Sequence, residues 1–500
     1  MKNKTSINYI CVLGCMLLSA IVFVGLASTT TSPTFYFKGT DSNIFQVIGK
    51  GWCEGLIPYK DLFDQKGPAI FFINMLGYML LGNRYGIFLL QILFMLASEI
   101  IIFLIFRRIY SEKISLIIAS FGIFAFMWNY DTGNSSEEYA NPFLLACLYC
   151  FTNWLHDKNE NRKNHDPIYA FVYGITFGFC MMSRLTNAIS VCVVVFFILI
   201  YLIISKSYMN ILKNIIAFIL GTCCMVVPFM IYFALNHTTY DFWFGTILYN
   251  FMYAAKSKTS LSIMAGSIVS QLGSYALMVV GIIYATRRKF YEGILFFVIG
   301  LSTEVLFMHM LHFGHYYMIA FPYLPIAFYE LILLLRDSNH KSKIAIYINK
   351  LIQIFVICLL GITAARTIKQ FYSEFRFYMT FPGSDSDKKY EQQLNFVKNI
   401  PANDRDSVAL YEMDSSIYIV LDIQPKCKYF TLQDWQAGFS EELKNNLIDE
   451  FETKSPKWIA CNHPNETIIT ELLQTNYEIV YEEDIPDDDE ETKLILYRQK

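Results

Sequence analysis

Long apolar runs separated by short polar loops divide most of the chain into candidate membrane-spanning helices. A bilayer core needs about 20 apolar residues per helix, within a range of about 17–25. The fourteen-residue apolar stretch 69–82 is short for a crossing and predicts a helix at the membrane interface. The predicted spans are 9–28, 85–106, 114–129, 140–155, 167–183, 186–204, 214–235, 263–285, 292–308, 317–335 and 345–366. The pattern indicates an α-helical polytopic membrane protein with about eleven transmembrane helices.

The first apolar run follows the basic segment MKNK, an arrangement that also occurs in cleaved signal peptides. The run 9–28 is long for a signal peptide and has no clean small-x-small cleavage site. We therefore predict an uncleaved first span.

Composition agrees with a membrane protein. Of the 500 residues, 54% are hydrophobic and only 17% are charged, whereas soluble globular proteins carry about 25% charged residues. The formal net charge of −3 adds little, because the position of each charge along the chain decides membrane orientation. The sequence has neither a Gly-rich phosphate loop nor a basic nucleic-acid surface, so we expect no nucleic-acid partner.

Every second loop between the predicted spans carries clustered basic residues, provided that 69–82 does not cross. Short basic loops face the cytoplasm, which predicts a cytoplasmic amino terminus, eleven crossings and an extracytoplasmic carboxyl terminus in the inner membrane. A crossing at 69–82 would place RRIYSEK outside and break the pattern. The basic residues are Lys2, Lys4, Arg107, Arg108, Lys113, Lys158, Arg162, Lys163, Lys206, Lys213, Arg287, Arg288, Lys289, Arg336, Lys341 and Lys343.

The last part of the chain changes composition sharply. Charged segments such as DSVALYE and YEIVYEED alternate with helical patterns such as SEELKNNLIDEF. These patterns predict a small extracytoplasmic α/β domain. We therefore divide the chain into a transmembrane domain, 1–366, with a first outer loop 29–68, and a soluble domain, 367–500. Cys427 and Cys461 lie in this second domain, and we expect no disulfide between them.

Carboxylates occur in two of the outer loops. Asp41 precedes apolar positions at helical spacing, Ile44, Phe45, Val47 and Ile48, which predict a helix on the membrane surface. Glu137 and Glu138 stand at the entrance of the span 140–155. Helix capping and the helix dipole are structural alternatives for these acids. As chemistry, one carboxylate could act as general base for an acceptor, and another could orient that acceptor or hold a divalent cation, Mg²⁺ or Mn²⁺.

Cations complete the candidate chemistry. The segment PYKDLFDQKGP, residues 58–68, places Lys66 beside Asp61 and Asp64 between two prolines. A solvated turn is the alternative interpretation. Arg184 is expected at the outer end of the fifth span, where a phosphate ligand, snorkelling or a salt bridge to an outer carboxylate would each explain it.

Three histidines, His309, His312 and His315, precede Tyr316 in MHMLHFGHYYMIAFPYLP. Their spacing of three invites a zinc interpretation, but Gly314 weakens a continuous helix and zinc would need a further ligand. We favour a structural or substrate-contacting role. Asp131 is similarly open, because YDTGN is also a turn sequence.

Four stretches resemble the GT-C integral-membrane glycosyltransferases, especially the branch with the lipid A aminoarabinose transferases and the rhizobial lipopolysaccharide galacturonosyltransferases. They are TDSNIFQVIGKGWCEGLIPYKDLFDQKGP, GNSSEEYANPF, GFCMMSRLTN and FGHYYMIAFPYLP. Their order and common sidedness, over roughly residues 8–335, carry the resemblance.

The resemblance implies inverting transfer of a sugar from a polyprenyl-phosphate donor to a lipid or glycan acceptor at the outer membrane face. By motif position, Asp41 is the catalytic base and Glu137 or Glu138 is the second acid. The implied substrate contacts are Asp61, Asp64, Lys66, Arg184, His315 and Tyr316. The implied ligands of a divalent cation are Asp41 and Glu138.

Two rival functions remain open at this point. A transporter or flippase would place ionisable groups near the bilayer midplane, where Glu99 and Glu304 lie. We expect both to pair with polar groups in the helix bundle instead. An envelope polysaccharide polymerase would share the outer-loop chemistry, and the sequence does not separate it from the leading hypothesis.

Overall fold

Helices form most of the structure, a computed structural model that describes residues 9–33, 41–157, 164–256, 268–310, 313–336, 343–462, 467–485 and 493–500. The chain passes more than once between two compact units. The first unit comprises 1–32, 88–230 and 257–374, and the second comprises 33–87, 231–256 and 375–500. The predicted boundary between 366 and 367 stays a prediction.

Seven helices within the described ranges are long and apolar enough to cross a membrane. They are Tyr9–Ala27, Arg84–Arg107, Leu185–Ile204, Tyr208–Leu235, Phe290–Met308, Gly314–Arg336 and Ile346–Thr380. Shorter apolar helices are Pro68–Leu81, Pro167–Ser183 and Leu272–Thr286. The chain is thus a multi-pass membrane protein, as its apolar pattern predicts, whereas the exact number of eleven crossings and the orientation stay predictions.

The remaining predicted spans also fall on helical segments, with interruptions. Glu112–Gly122 continues into a 3₁₀ segment, Ile123–Trp128. Ser136–Leu155 starts four residues before the apolar run and includes both glutamates in its first turn. The helix Leu272–Thr286 follows a 3₁₀ turn at Ile268–Gln271, and residues 263–267 lie outside the described ranges.

Glycines let helices of the first unit approach closely. A Cβ atom on Gly174 would lie 2.1 Å from the carbonyl oxygen of Phe218, and one on Gly221 would lie 2.2 Å from that of Phe171. Small residues at such crossings allow backbone-to-backbone packing in membranes. The helices Pro167–Ser183 and Tyr208–Leu235 therefore cross at these two glycines.

The two glutamates considered for a transport route are hydrogen-bonded inside the first unit. Glu99 accepts from the hydroxyls of Ser19, at 2.8 Å, and Ser120, at 2.6 Å. Glu304 accepts from the hydroxyl of Ser274. The expectation that both acids pair with polar groups is confirmed, and a translocation route is not favoured.

The segment between the first two long apolar helices contains two helices that pack on each other in the second unit, Asp41–Cys53 and Pro68–Leu81. The rings of Phe45 and Phe71 lie 6.0 Å apart, and a Cβ atom on Gly49 would lie 2.4 Å from that of Asn74. The two helices are confirmed. The apolar side chains predicted to face a membrane surface, Ile44, Phe45, Val47 and Ile48, are instead buried in the protein. The helix Asp41–Cys53 packs against Pro68–Leu81 and also against the short helix Ser416–Val420.

A four-stranded sheet organises the end of the chain, as the composition change predicts. Its order is β1-β2-β4-β3, with β1 Val408–Tyr411, β2 Trp458–Asn462, β3 Tyr477–Asp484 and β4 Lys493–Gln499. β1 and β2 are parallel, and the other pairs are antiparallel. The accompanying helices are Asp385–Lys398, Ser416–Val420, Gln433–Ala437, Glu441–Lys454 and Thr470–Asn476.

The core beside this sheet includes side chains from much earlier in the chain. Phe63 and Tyr249, fully buried, pack with residues such as Tyr411 and Phe451. Cys427 and Cys461 are both buried in this core as free thiols. The helices Thr239–Trp243 and Tyr249–Lys256, with the π-turn Phe244–Leu248 between them, supply the middle segment of the unit.

Candidate active site

Internal hydrogen bonds give the segment 58–68 a defined shape. Tyr59, at a positive φ of 69°, donates its backbone N–H to the carbonyl of Leu62 at 2.7 Å and its hydroxyl to the carbonyl of Lys66 at 2.7 Å. Asp61 accepts from the backbone N–H of Ile57 at 2.8 Å and so closes the preceding turn. This loop is ordered by its own polar groups, and its substrate contact through Asp61 stays a prediction.

Lys66 and Asp41 form an ion pair within the second unit. The Nζ atom of Lys66 lies 3.6 Å from Oδ2 of Asp41, and the lysine side chain is 9% exposed whereas the aspartate side chain is 47% exposed. The ammonium also lies 6.0 Å from the ring centroid of Phe45. The pair therefore combines a largely enclosed cation with a carboxylate that solvent or a substrate can reach.

Asp64 is a second acid beside this lysine. Its Oδ1 accepts from the backbone N–H of Lys66 at 2.9 Å, and the side chain is buried. Burial raises the pKa of Asp64 to about 6, an effect that Lys66 opposes and the Asp41 charge reinforces. Two carboxylates near one lysine thus have very different environments.

We expect the stability of the protein to depend on pH through Asp64. Its folded-state pKa lies above the unfolded value, so between about pH 4 and 6 the folded protein keeps a proton on Asp64 that the unfolded chain has released. Protonation of Asp64 therefore stabilises the folded state, and this contribution is lost as the pH rises through about 6. The Asp64→Asn variant has no titrating carboxyl group at this position, so its stability lacks this pH dependence. Relative to wild type it should gain about 3 kcal/mol of unfolding free energy between about pH 4 and pH 7.

Unfolding free energies of both proteins in detergent, measured across this pH range, check the expectation. Asp385→Asn is the control, because that side chain is 91% exposed. Parallel pH curves for wild type and Asp64→Asn would contradict it.

A tight turn leads into the helix that carries Glu137 and Glu138. Asp131, Gly133 and Asn134 all have positive φ, and a Cβ atom on Gly133 would lie 2.7 Å from the ring of Tyr130. The side chain of Ser135 then accepts from the backbone N–H of Glu138 at 3.2 Å, which caps the helix. The turn interpretation of YDTGN is correct.

Glu138 is enclosed by hydrogen-bond donors of the first unit. Its carboxylate accepts from the hydroxyl of Tyr130, from Nε2 of Gln91 at 3.0 Å and from the backbone N–H of Asn134 at 2.7 Å. The residue is only 2% exposed. Sequence reasoning missed Gln91 and Tyr130 as its partners; a lone glutamine inside the apolar run 85–106 was the available signal.

Glu137 and Arg184 form a buried ion pair. Oε1 of Glu137 lies 2.6 Å from Nη1 of Arg184, and their side chains are 1% and 14% exposed. The guanidinium carbon lies 3.3 Å from the ring centroid of Tyr316, a cation–π contact. Arg184 ends the helix Pro167–Ser183 and precedes the 3₁₀ turn Leu185–Ala188. Of the alternatives for this arginine, the salt bridge to an outer-loop carboxylate is observed.

The two described histidines of this segment, His309 and His315, have different partners. Nδ1 of His315 lies 3.2 Å from Oδ2 of Asp131, whereas Nδ1 of His309 lies 2.8 Å from the carbonyl of Val305. His312 lies outside the described residues. Within the described ranges, no three His, Cys, Asp or Glu residues are placed to hold a metal ion. The favoured interpretation, a structural or substrate-contacting role, agrees with these contacts.

The fit of a divalent cation can be tested on the carboxylates themselves. Three protein donors occupy Glu138, and Asp41 already pairs with Lys66. The Asp41 side chain, 47% exposed, is still open to a ligand, and a divalent cation held by Asp41 and Glu138 stays a prediction. No step below depends on a metal.

The predicted site residues therefore form two groups. The second unit brings together Asp41, Asp64 and Lys66, with Asp61 in the same loop. The first unit brings together Glu137, Arg184 and Tyr316, with Glu138 and His315 on adjoining positions. That both groups line one extracytoplasmic cavity stays a prediction.

Comparison with known proteins agrees with this architecture. Residues 65–233 match the family model for dolichyl-phosphate-mannose-protein mannosyltransferase. ArnT from Cupriavidus metallidurans, solved bound to undecaprenyl phosphate and in the apo state, has a TM-score of 0.57 and 11% identity, over 98% of this chain and 97% of that chain. The Archaeoglobus fulgidus oligosaccharyltransferase, solved with a tethered acceptor peptide, has a TM-score of 0.50 and 10% identity, over 98% and 74%. No curated protein sequence matches the chain.

These similarities define a GT-C fold, the class of integral-membrane glycosyltransferases that the sequence motifs resemble. Within that class, the stretch 65–233 is similar to the dolichyl-phosphate-mannose-protein mannosyltransferase family. The expected resemblance is thereby confirmed.

Proposed function

We propose that this protein is a glycosyltransferase that moves a sugar from a polyprenyl-phosphate donor to a lipid, glycan or protein acceptor at the outer face of the cytoplasmic membrane. The family match and the GT-C fold support a glycosyltransferase-type enzyme. The observation that carries the proposal is the ion pair of Asp41 and Lys66, in which a half-exposed carboxylate stands 3.6 Å from a nearly buried ammonium.

In the proposed reaction, Asp41 accepts the proton of an acceptor hydroxyl or amine. The freed electron pair of that acceptor atom forms a bond to the anomeric carbon of the sugar. The bond from this carbon to the phosphate oxygen breaks at the same time, and its electron pair leaves with the polyprenyl phosphate. Attack opposite the leaving group inverts the configuration at the anomeric carbon.

Lys66 would stabilise the charge that develops on the departing phosphate. Hydrogen bonds of the loop 58–68 hold the backbone of Lys66, and its ammonium sits in a largely enclosed position, where electrostatic stabilisation is stronger than in water. Because the same ammonium lies beside Asp41, Lys66 would contact the phosphate of the sugar donor close to the acceptor atom that Asp41 deprotonates.

Arg184 would provide a second phosphate contact. Glu137 and the ring of Tyr316 hold its guanidinium in one orientation, and an oriented planar guanidinium matches phosphate geometry. Glu137 acts in this proposal as a positioning residue for the arginine. Glu138, enclosed by Gln91 and Tyr130, would hold the turn that precedes the helix.

The decisive experiment separates transfer from transport. Proteoliposomes containing the protein receive polyprenyl-phosphate-linked sugars labelled in the sugar, together with acceptor lipids. We expect polyprenyl phosphate to be released in an amount equal to the labelled sugar transferred. Movement of intact labelled donor across the bilayer, with no released polyprenyl phosphate, would contradict the proposal and support the transporter. Protein-free liposomes provide the background.

A further inference from the structure

A cavity of about 340 Å³ lies in the second unit, apart from the residues assigned above to sugar transfer. Its volume is at the lower end of the range of small-molecule sites, about 300–1,000 Å³. The helical segment around Tyr240 and Phe244 forms one side, and the helix Glu441–Lys454 forms the other. The cavity is therefore built from chain segments that are about 200 residues apart in sequence.

One wall of this cavity is aromatic. The rings of Tyr240 and Phe244 lie 6.1 Å apart at an angle of 27°, and Tyr429 adds a third ring. Tyr240 is 68% exposed, so its ring is open to a ligand. Aromatic faces offer an apolar, polarisable platform with negative charge at the ring face, suited to C–H groups and to cations.

The opposite wall is polar and negatively charged. Glu442, Asn446 and Asp449 recur at spacings of four and three along one helix, which places them on one face. Amide and carboxylate oxygens on such a face accept hydrogen bonds from hydroxyl and ammonium groups. Within the described part of the chain, the side-chain carboxylates of Glu442 and Asp449 form neither a hydrogen bond nor an ion pair.

The residues that line the cavity carry more negative than positive charge, which favours a cationic ligand. Asp241, Glu442, Asp449 and Glu450 oppose a single cation, Lys428. That lysine is itself 3.2 Å from Asp241, and its backbone N–H donates to Glu450 at 2.9 Å. Burial, together with the charges of Glu450, Asp241 and Glu442, raises the pKa of Tyr429, in agreement with a negative field. The cavity should repel phosphates and carboxylates and attract cations.

A bare metal ion does not explain the site. The described residues contain no group of three His, Cys, Asp or Glu residues that could hold one, the cavity included. The ring faces of the aromatic wall would also supply no oxygen ligand to a metal ion. Ring faces opposite hydrogen-bond acceptors instead match a ligand with both an apolar C–H face and positively charged or hydroxyl groups.

We infer that this cavity binds a saccharide carrying protonated amines, as part of the acceptor in the proposed transfer. The inference rests on the proposed function for the acceptor role. The cavity wall is joined directly to the loop of Lys66, because the backbone N–H of Phe63 donates to the carbonyl of Lys428 at 3.0 Å. A ligand held there would contact the same structural element that carries the phosphate-binding lysine.

Two matched probes test this inference on the full-length protein in detergent. The tetramer of glucosamine and the tetramer of N-acetylglucosamine share a backbone and differ in amine charge. By calorimetry at about pH 6, we expect the glucosamine tetramer to bind at least about 10-fold more tightly. The double variant Glu442→Gln/Asp449→Asn should reduce that preference to about 2-fold or less, and Tyr240→Ala should weaken both probes.

A control variant comes from the same helix as the two substituted acids. Glu441→Gln, the neighbouring acid outside the lining, should bind like wild type, and equal melting temperatures exclude unfolding as the cause of any loss. Equal affinity for the two tetramers, absence of binding, or binding unchanged in the double variant would each overturn the inference. Tighter binding of tetralysine than of the glucosamine tetramer would also overturn it, in favour of a basic peptide.

Binding is measured without donor, so the result is independent of turnover. A failed transfer assay with normal tetramer binding would thus count against the proposed reaction only, whereas normal transfer without tetramer binding would count against the cavity only.

Discussion

Replacing Asp41 by Asn is expected to lower the turnover of polyprenyl-phosphate sugar by about 10²–10⁴-fold, the usual contribution of a general base. Asn keeps the size of the side chain but cannot take the acceptor proton. Donor binding should change much less than turnover, because Lys66 remains in place. Turnover of purified wild type and variant is measured with labelled donor in proteoliposomes. Its dependence on donor concentration separates the fall in turnover from any change in donor binding.

The control for this substitution is Asp385→Asn, the same chemical change at a side chain that is 91% exposed and pairs only with Lys388 among the described ion pairs. It should leave turnover at the wild-type level. If well-folded Asp41→Asn retained wild-type turnover, Asp41 would not be the base, and the proposed mechanism would lose its central residue.

Replacing Arg184 by Met is expected to destabilise the protein by about 3–5 kcal/mol, the typical result of removing one partner of a buried ion pair. The variant leaves the Glu137 carboxylate, 1% exposed, without its cation at 2.6 Å. It also removes the cation–π contact with Tyr316. Unfolding free energies in mixed micelles provide the measurement.

Two further variants make this expectation specific. The double variant Arg184→Met/Glu137→Gln removes the stranded charge and should recover a large part of the lost stability. Arg498→Met breaks an ion pair in which both side chains are about half exposed, 49% and 46%, and should cost about 1 kcal/mol or less. If Arg184→Met were as stable as wild type, the ion pair of Arg184 and Glu137 would not contribute to the free energy of unfolding as proposed.

The apolar pattern predicted helices well, because each run of about 20 apolar residues has few structural alternatives in a membrane. It predicted the turn at YDTGN and the helical entrance carrying Glu137 for the same local reasons. It failed for the apolar face of the helix that begins at Asp41, where the side chains are buried within the protein. A single helix pattern identifies an apolar face but not what covers it.

The side-chain contacts between distant residues were harder to predict than the helices and strands. A salt bridge of Arg184 to a loop carboxylate was one of the alternatives that the sequence allowed. The pair joins positions 47 residues apart, and only the fold decides which acid meets the arginine. Gln91 was missed because one amide in an apolar helix has no spacing pattern of its own. Likewise, nothing local to Phe63 indicates that it packs in a core with Tyr411 and Phe451.

The packing of Phe63 beside the carboxyl-terminal sheet has a consequence for biogenesis. The ribosome delivers residues 58–68 hundreds of residues before the strands that complete their surroundings. Until the end of the chain has been synthesised, the aromatic ring lacks its core and the amide of Phe63 lacks the carbonyl of Lys428. The nascent enzyme should therefore remain inactive while its membrane helices insert, and a chain truncated before the sheet should integrate into the bilayer without acquiring a competent lysine loop.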